Sequence, residues 1–234
     1  WLERFSRGLF ALADRYQVEL IGGDTTRGPL TLCVTIIGEV PVGRALLRSG
    51  ARPGDRVWVS GELGTAAAGL AVLQGRLELP EAERAVAIRT LQRPAPRVEL
   101  GIALRGIASA AIDISDGLLG DLAHIVECSA VGAEIELSRV PCADWLRAQL
   151  QRPEQRASAL GMLLAGGDDY ELCFTAPADR TQQVEEAGRA AGVAVTPIGC
   201  IIAGAGLVVR DGGDASAALD LSALRAFDHF ADGG

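Results

Sequence analysis

Three short stretches of this 234-residue chain gather oxygen ligands around glycine: Gly22–Gly28 (GGDTTRG), Asp113–Gly117 (DISDG) and Gly166–Glu171 (GGDDYE). Adjacent carboxylates without a cationic partner repel one another, which raises their pKa or calls for a cation. Aspartate oxygens suit a hard ion such as Mg²⁺, which takes few protein ligands and shares its remaining positions with phosphate oxygens. One acidic turn is ordinary. Three in an acidic chain predict Mg²⁺ held by carboxylates and shared with a phosphorylated ligand. The basic side chains narrow the chemistry further, because all 22 are Arg and the chain has no Lys. A Walker-type phosphate loop is thereby excluded, since its lysine is missing. Phosphate must then be met by metal, backbone amides and Arg. No GxSxG or HExxH occurs, and neither His124 nor His229 lies in a motif that marks a catalytic base.

The elements that position these turns follow from periodicity. Around the second turn, an apolar run at Ala110–Ile114 predicts a strand that turns through Ser115, Asp116 and Gly117 and enters a helix at Leu118. Leu118, Leu122, Ile125 and Val126 recur at helical spacing and predict its buried face. Ser115 or Asp116 is the expected N-cap, its side-chain oxygen taking a first-turn amide. The first turn follows a predicted helix over Trp1–Val18 and precedes a β-branched run, Leu30–Val40, read as a strand. The third turn leads into a predicted strand at Glu171–Thr175. Further strands are expected at Arg56–Ser60, Ala133–Leu137, Val193–Cys200 and Gly206–Arg210. Gly61–Leu73 is expected to turn and then start an Ala/Leu-rich helix through Thr65 and Gly69, and further helices are expected over Glu81–Gln92, Val98–Ser109, Asp144–Leu150, Arg156–Leu164 and Thr181–Ala191. Strands alternating with helices predict an α/β or α+β protein.

A net charge of −8 and a pI near 4.9 argue against nucleic acid or an anionic membrane as the main partner. The five Cys lack CxxC spacing, are odd in number and have apolar neighbours, which predicts buried, reduced thiols in a cytoplasmic protein and no zinc site. No secretory leader opens the chain and no stretch is apolar enough to span a bilayer. The chain opens at Trp1 inside a helical pattern, without an initiator Met, so a preceding segment is expected to be absent.

The three turns, with the linker Gly43–Gly50 (GRALLRSG) and the tail Phe227-Asp228-His229-Phe230, resemble the thiamine-monophosphate kinases of the aminoimidazole ribonucleotide synthetase (PurM-like) superfamily. The resemblance runs from Trp1 to Phe230. It implies a two-domain PurM-like architecture, with residues 1–48 the remainder of an N-terminal ATP-binding domain and 49–234 a C-terminal domain carrying a mixed sheet with packed helices. The implied reaction turns ATP and thiamine monophosphate into ADP and thiamine diphosphate, with several Mg²⁺ ions and no general base. Gly23, Asp24, Arg48 and Ser115 are implied ATP contacts, and Asp24, Asp113 and Asp116 implied Mg²⁺ ligands. Asp168 and Phe227 are implied substrate contacts, Asp168 standing where the family often has Glu. Tyr170 and Glu171 read as structural. Further acidic ligands belong to the segment before Trp1, so the 234 residues are expected to be inactive alone. The full-length protein is expected to be a homodimer. Another ATP-using PurM-like synthetase, or a non-catalytic nucleotide- or metal-binding domain, remains the alternative.

Overall fold

The computed structural model describes residues 1–212 and 218–221. The chain divides into two units, Trp1–Pro41 and Val42–Gly234. In the first, α1 (Leu2–Arg15) is the expected amphipathic helix, with Trp1 stacked on Phe5 at 5.3 Å between ring centroids. The strand expected at Leu30–Val40 does not form; the run has no regular structure and its apolar side chains are exposed. β-branched residues favour a strand only where a neighbouring strand takes up their amides and carbonyls. Among the described residues no ladder reaches this run.

The second unit is built on six strands: β1 (Arg56–Ser60), β2 (Ala110–Ile114), β3 (Gly132–Glu136), β4 (Glu171–Ala176), β5 (Val195–Ile202) and β6 (Gly206–Arg210). They form one mixed sheet in the order β2-β4-β1-β5-β3-β6, in which β3 and β6 run parallel and the other neighbours antiparallel. Its helices are α2 (Thr65–Leu73), α3 (Glu81–Gln92), α4 (Val98–Ala103), α5 (Leu118–Ser129), α6 (Asp144–Leu150), α7 (Pro153–Leu160) and α8 (Thr181–Ala190). The pleat sends successive side chains to opposite faces, so β1 serves two cores. Val57 and Val59 join one with Ile112 and Ile114 of β2 and Leu118, Leu122 and Ile125 of α5. Trp58 joins the other, where it stacks on Phe174 and packs with Leu100 and Leu104, and with Val184 of α8.

Two helix boundaries differ from the periodicity. The helix expected to run through Ser109 ends at Ala103. Gly106 has a φ of +82°, a left-handed conformation that a helix cannot carry. Near the third acidic turn, α7 passes into one π-helical turn at Gly161–Ala165, a distortion often found beside functional sites. In the linker, the Leu47 carbonyl accepts the Ala111 amide at 2.9 Å. The thiols are not uniformly buried as expected: Cys173 is buried within the sheet, whereas Cys33, Cys128 and Cys200 are exposed. No helix among the described residues is long and apolar enough to cross a membrane.

Candidate active site

Two of the three acidic turns meet because their strands are neighbours. β2 and β4 pair antiparallel with Ile114 opposite Glu171, so the exit of β2 and the entry of β4 lie at the same edge. The Asp168 amide donates to the Ser115 carbonyl and the Tyr170 amide to the Ile114 carbonyl, both at 2.9 Å. Glycine permits this closeness. A Cβ on Gly167 would overlap the Ser115 carbonyl, and one on Gly117, whose φ is +109°, would sit 2.7 Å from the Ala165 carbonyl carbon. Asp168 and Tyr170 both take left-handed backbone, with φ of 69° and 49°. Such conformations cost about 1–3 kcal/mol each and gather at functional sites.

The joined turns form one side of a cavity of about 780 Å³. Ser115, Asp116, Asp168 and Tyr170 supply its polar wall, while Leu70, Leu77 and Met162 supply apolar surface. Arg76 brings positive charge to the same cavity. Ligand sites combine apolar surface with a few placed polar groups in this way.

The expected N-cap is corrected. Neither Ser115 nor Asp116 caps α5; Gly117 holds that position and makes no side-chain bond. Instead Asp121, in the helix's first turn, reaches back, and its Oδ2 accepts the Ser115 and Asp116 amides at 3.0 Å each. Asp121 is almost fully buried. Burial pushes its carboxyl up, the two amide bonds oppose that shift, and the charges of Asp116 and Asp113 add to it.

A second buried carboxylate fastens the other turn. Asp169 accepts the Gly64 amide at 2.8 Å and the Ala66 amide at 3.3 Å, satisfying the free amides at the start of α2. Burial pushes the Asp169 carboxyl up to about 7, the two amide bonds opposing and the charges of Glu171 and Asp168 adding to it. Its unfolded value is about 3.9. The folded state therefore binds more protons between those values, so this group's contribution to stability is present at low pH and lost as pH rises through about 7. Asp169→Asn, a neutral mimic of the protonated acid, is expected to match the parent to within about 1 kcal/mol near pH 4, where little of this contribution has yet been lost. It should then gain on the parent as pH rises to about 7 and keep a level advantage above that. Urea unfolding of both proteins without divalent ions checks this, and a difference that stays flat with pH would contradict the raised pKa.

Of the remaining site candidates, Asp113 lies on β2 and is exposed between buried Ile112 and Ile114. Gly23 and Asp24 are exposed in the first unit, in the segment after α1. Arg48 lies in the linker that precedes β1. Its carbonyl accepts the Ser129 hydroxyl at 3.4 Å, at the end of α5 opposite to Leu118. Phe227 lies outside the described residues. Among the described residues, no three or more His, Cys, Asp or Glu side chains converge as a metal cage. The donor set still fits Mg²⁺, which is commonly bound through one or two carboxylates plus substrate phosphates.

The sequence reading missed Tyr170 and Arg76 as cavity residues, and Asp121 and Asp169 as clamps. Asp121 had a visible signal: it falls on the apolar stripe between Leu118 and Leu122, where a carboxylate needs a buried partner.

Fold and site together define an AIR synthase related, PurM-like protein. The family model for the C-terminal domain of AIR synthase related proteins matches residues 52–212, and that for the N-terminal domain matches 1–40. The thiamine-monophosphate kinase of Escherichia coli K12 is 48% identical over 234 residues, covering 99% of this chain and 69% of that protein. The crystal structure of the thiamine-monophosphate kinase from Stenotrophomonas maltophilia superposes with a TM-score of 0.80 at 46% identity, over 89% of this chain and 66% of that one. A structure of AaThiL complexed with AMPPCP and TMP superposes at 0.70 and 28% identity, over 94% of this chain and 68% of that one. The chain belongs to the thiamine-monophosphate kinase family, and it spans about two thirds of the length of these relatives.

Proposed function

We propose that the protein phosphorylates thiamine monophosphate with ATP as co-substrate, by direct in-line transfer assisted by Mg²⁺. The observation that carries this reading is the union of DISDG and GGDDYE on one cavity wall. Membership in the kinase family and the relative that binds AMPPCP and TMP support it. The acceptor is a phosphate oxygen already anionic at neutral pH, so no side chain need remove a proton. That oxygen forms a bond to the γ-phosphorus of ATP as the bond to the β,γ-bridging oxygen breaks, and ADP leaves. The barrier is the approach of two polyanions, which positioning and charge neutralisation lower.

Asp113 and Asp116 would hold Mg²⁺ in the second unit, its charge offsetting that of the phosphates, and Asp24 would serve as a Mg²⁺ ligand in the first. Ser115, Gly23 and Arg48 would contact the nucleotide. Asp168 and Phe227 would contact the thiamine portion, with the Asp168 carboxylate facing a cationic ring. On this reading residues 1–48 complete the ATP-binding domain and 49–234 form the C-terminal domain. The full-length protein works as a cytoplasmic homodimer, and the 234 residues by themselves do not turn over.

Release of ADP by the full-length protein, measured with and without thiamine monophosphate and with and without Mg²⁺, tests the reading. Turnover that needs both is expected. Turnover indifferent to thiamine monophosphate would reject the substrate, and thiamine diphosphate formation by the 234-residue chain would reject its inactivity.

A further inference from the structure

Asp121 is a nearly fully buried carboxylate that the phosphoryl transfer itself does not use. It does not reach the cavity, yet it is bonded to two residues that do. Both bonds end on the same oxygen, which draws consecutive amides of the turn toward the protein interior. Gly117, at the N-cap position, offers no side chain to share this task. Asp121 thus replaces the expected arrangement, in which a side chain of the turn would cap the helix. The exchange spares Ser115 and Asp116 from capping and leaves both on the cavity wall.

We propose that Asp121 is the positioning residue of the acidic turn: by accepting the Ser115 and Asp116 amides together, it sets the backbone that presents both side chains to nucleotide and metal. This rests on the phosphoryl-transfer reading above for its kinetic consequence, but not for its structural one. A mutation behind the ligands of a metal site commonly costs about 10- to 100-fold in affinity or activity.

The test compares Asp121→Ala with Asp121→Asn in the full-length protein. Asn keeps an oxygen that can accept both amides, whereas Ala keeps none. Hydrogen exchange read over residues 111–118 is expected to quicken in Asp121→Ala and to stay near the parent rate in Asp121→Asn. Turnover at saturating substrates should fall about 10- to 100-fold in the Ala variant and stay within about threefold of the parent in the Asn variant. Mn²⁺ affinity in the presence of ATP should follow the same pattern. Unchanged exchange at 111–118 in a folded Asp121→Ala overturns the proposal, whatever the enzyme's substrate proves to be. Should the Ala variant not fold, Asp121→Asn decides alone. A tenfold loss of turnover at parental exchange would mean that the charge, not amide positioning, is what Asp121 supplies. Failure of the phosphoryl-transfer reading would show separately, as turnover by the parent that needs neither Mg²⁺ nor thiamine monophosphate.

Discussion

Asp113→Asn and Asp116→Asn in the full-length protein are each expected to cut thiamine-monophosphate-dependent ADP release about 100-fold or more, with folding stability held within about 1 kcal/mol of the parent. The carboxamide has the size of the carboxylate but not its charge, so a hard cation loses the ligand it prefers. The loss should fall on turnover more than on thiamine monophosphate binding, because charge neutralisation matters most where the phosphates close on one another. Stability should respond differently. Asp113 is exposed, and with Asp116 its charge presses on Asp121. Removing one of two like charges relieves that repulsion, so melting temperatures equal to or slightly above the parent are expected. Steady-state kinetics over a range of Mg²⁺, beside thermal unfolding of the same samples, separates the two effects. Near-parental turnover in both variants would sink the metal assignment.

Much of the second unit was legible in the sequence, and the reason is local. The run Ala110–Ile114 and the spacing of Leu118, Leu122 and Ile125 marked β2 and α5, because burial of one face writes a period into the residues. The acidic turns were legible as motifs for the same reason. Their meeting was not. It depends on β2 lying beside β4, residues more than fifty positions apart in the chain, and such pairing leaves no local period. The clamps by Asp121 and Asp169 were hidden for a related reason: each carboxylate is bonded to backbone amides, and an amide carries no residue type to read. The run at Leu30–Val40 shows the opposite failure. Its composition is that of a strand, but a strand is a property of two segments, and composition reports on one.

The entry of β4 carries the largest expected stability effect. Glu171 is almost fully buried, and its carboxylate is held by a bidentate pair with Arg97, whose Nε donates to Oε2 at 2.7 Å, and by the Ser60 hydroxyl at 2.5 Å. Ser60 in turn accepts the Leu172 amide at 2.8 Å, tying β1 to β4 through one side chain. Gly61 leaves the room, since a Cβ there would overlap the Glu171 carboxylate. Arg97→Met strips the charge partner and leaves a buried anion with its hydroxyl alone, for an expected loss of about 3–5 kcal/mol. Adding Glu171→Gln removes the stranded charge while keeping an acceptor for Ser60, so the double variant should be more stable than Arg97→Met alone. Urea unfolding at pH 7 measures both, and a loss below about 1 kcal/mol in the single variant would show the pair to be energetically idle. A consequence for the site follows from the chain itself. Glu171 is bonded directly to Tyr170, and Asp168 lies two residues before that, so whatever fixes Glu171 also fixes where the left-handed turn leaves the sheet. In the folded fraction of Arg97→Met, turnover is therefore expected to fall along with stability, whereas the double variant should recover stability more fully than turnover.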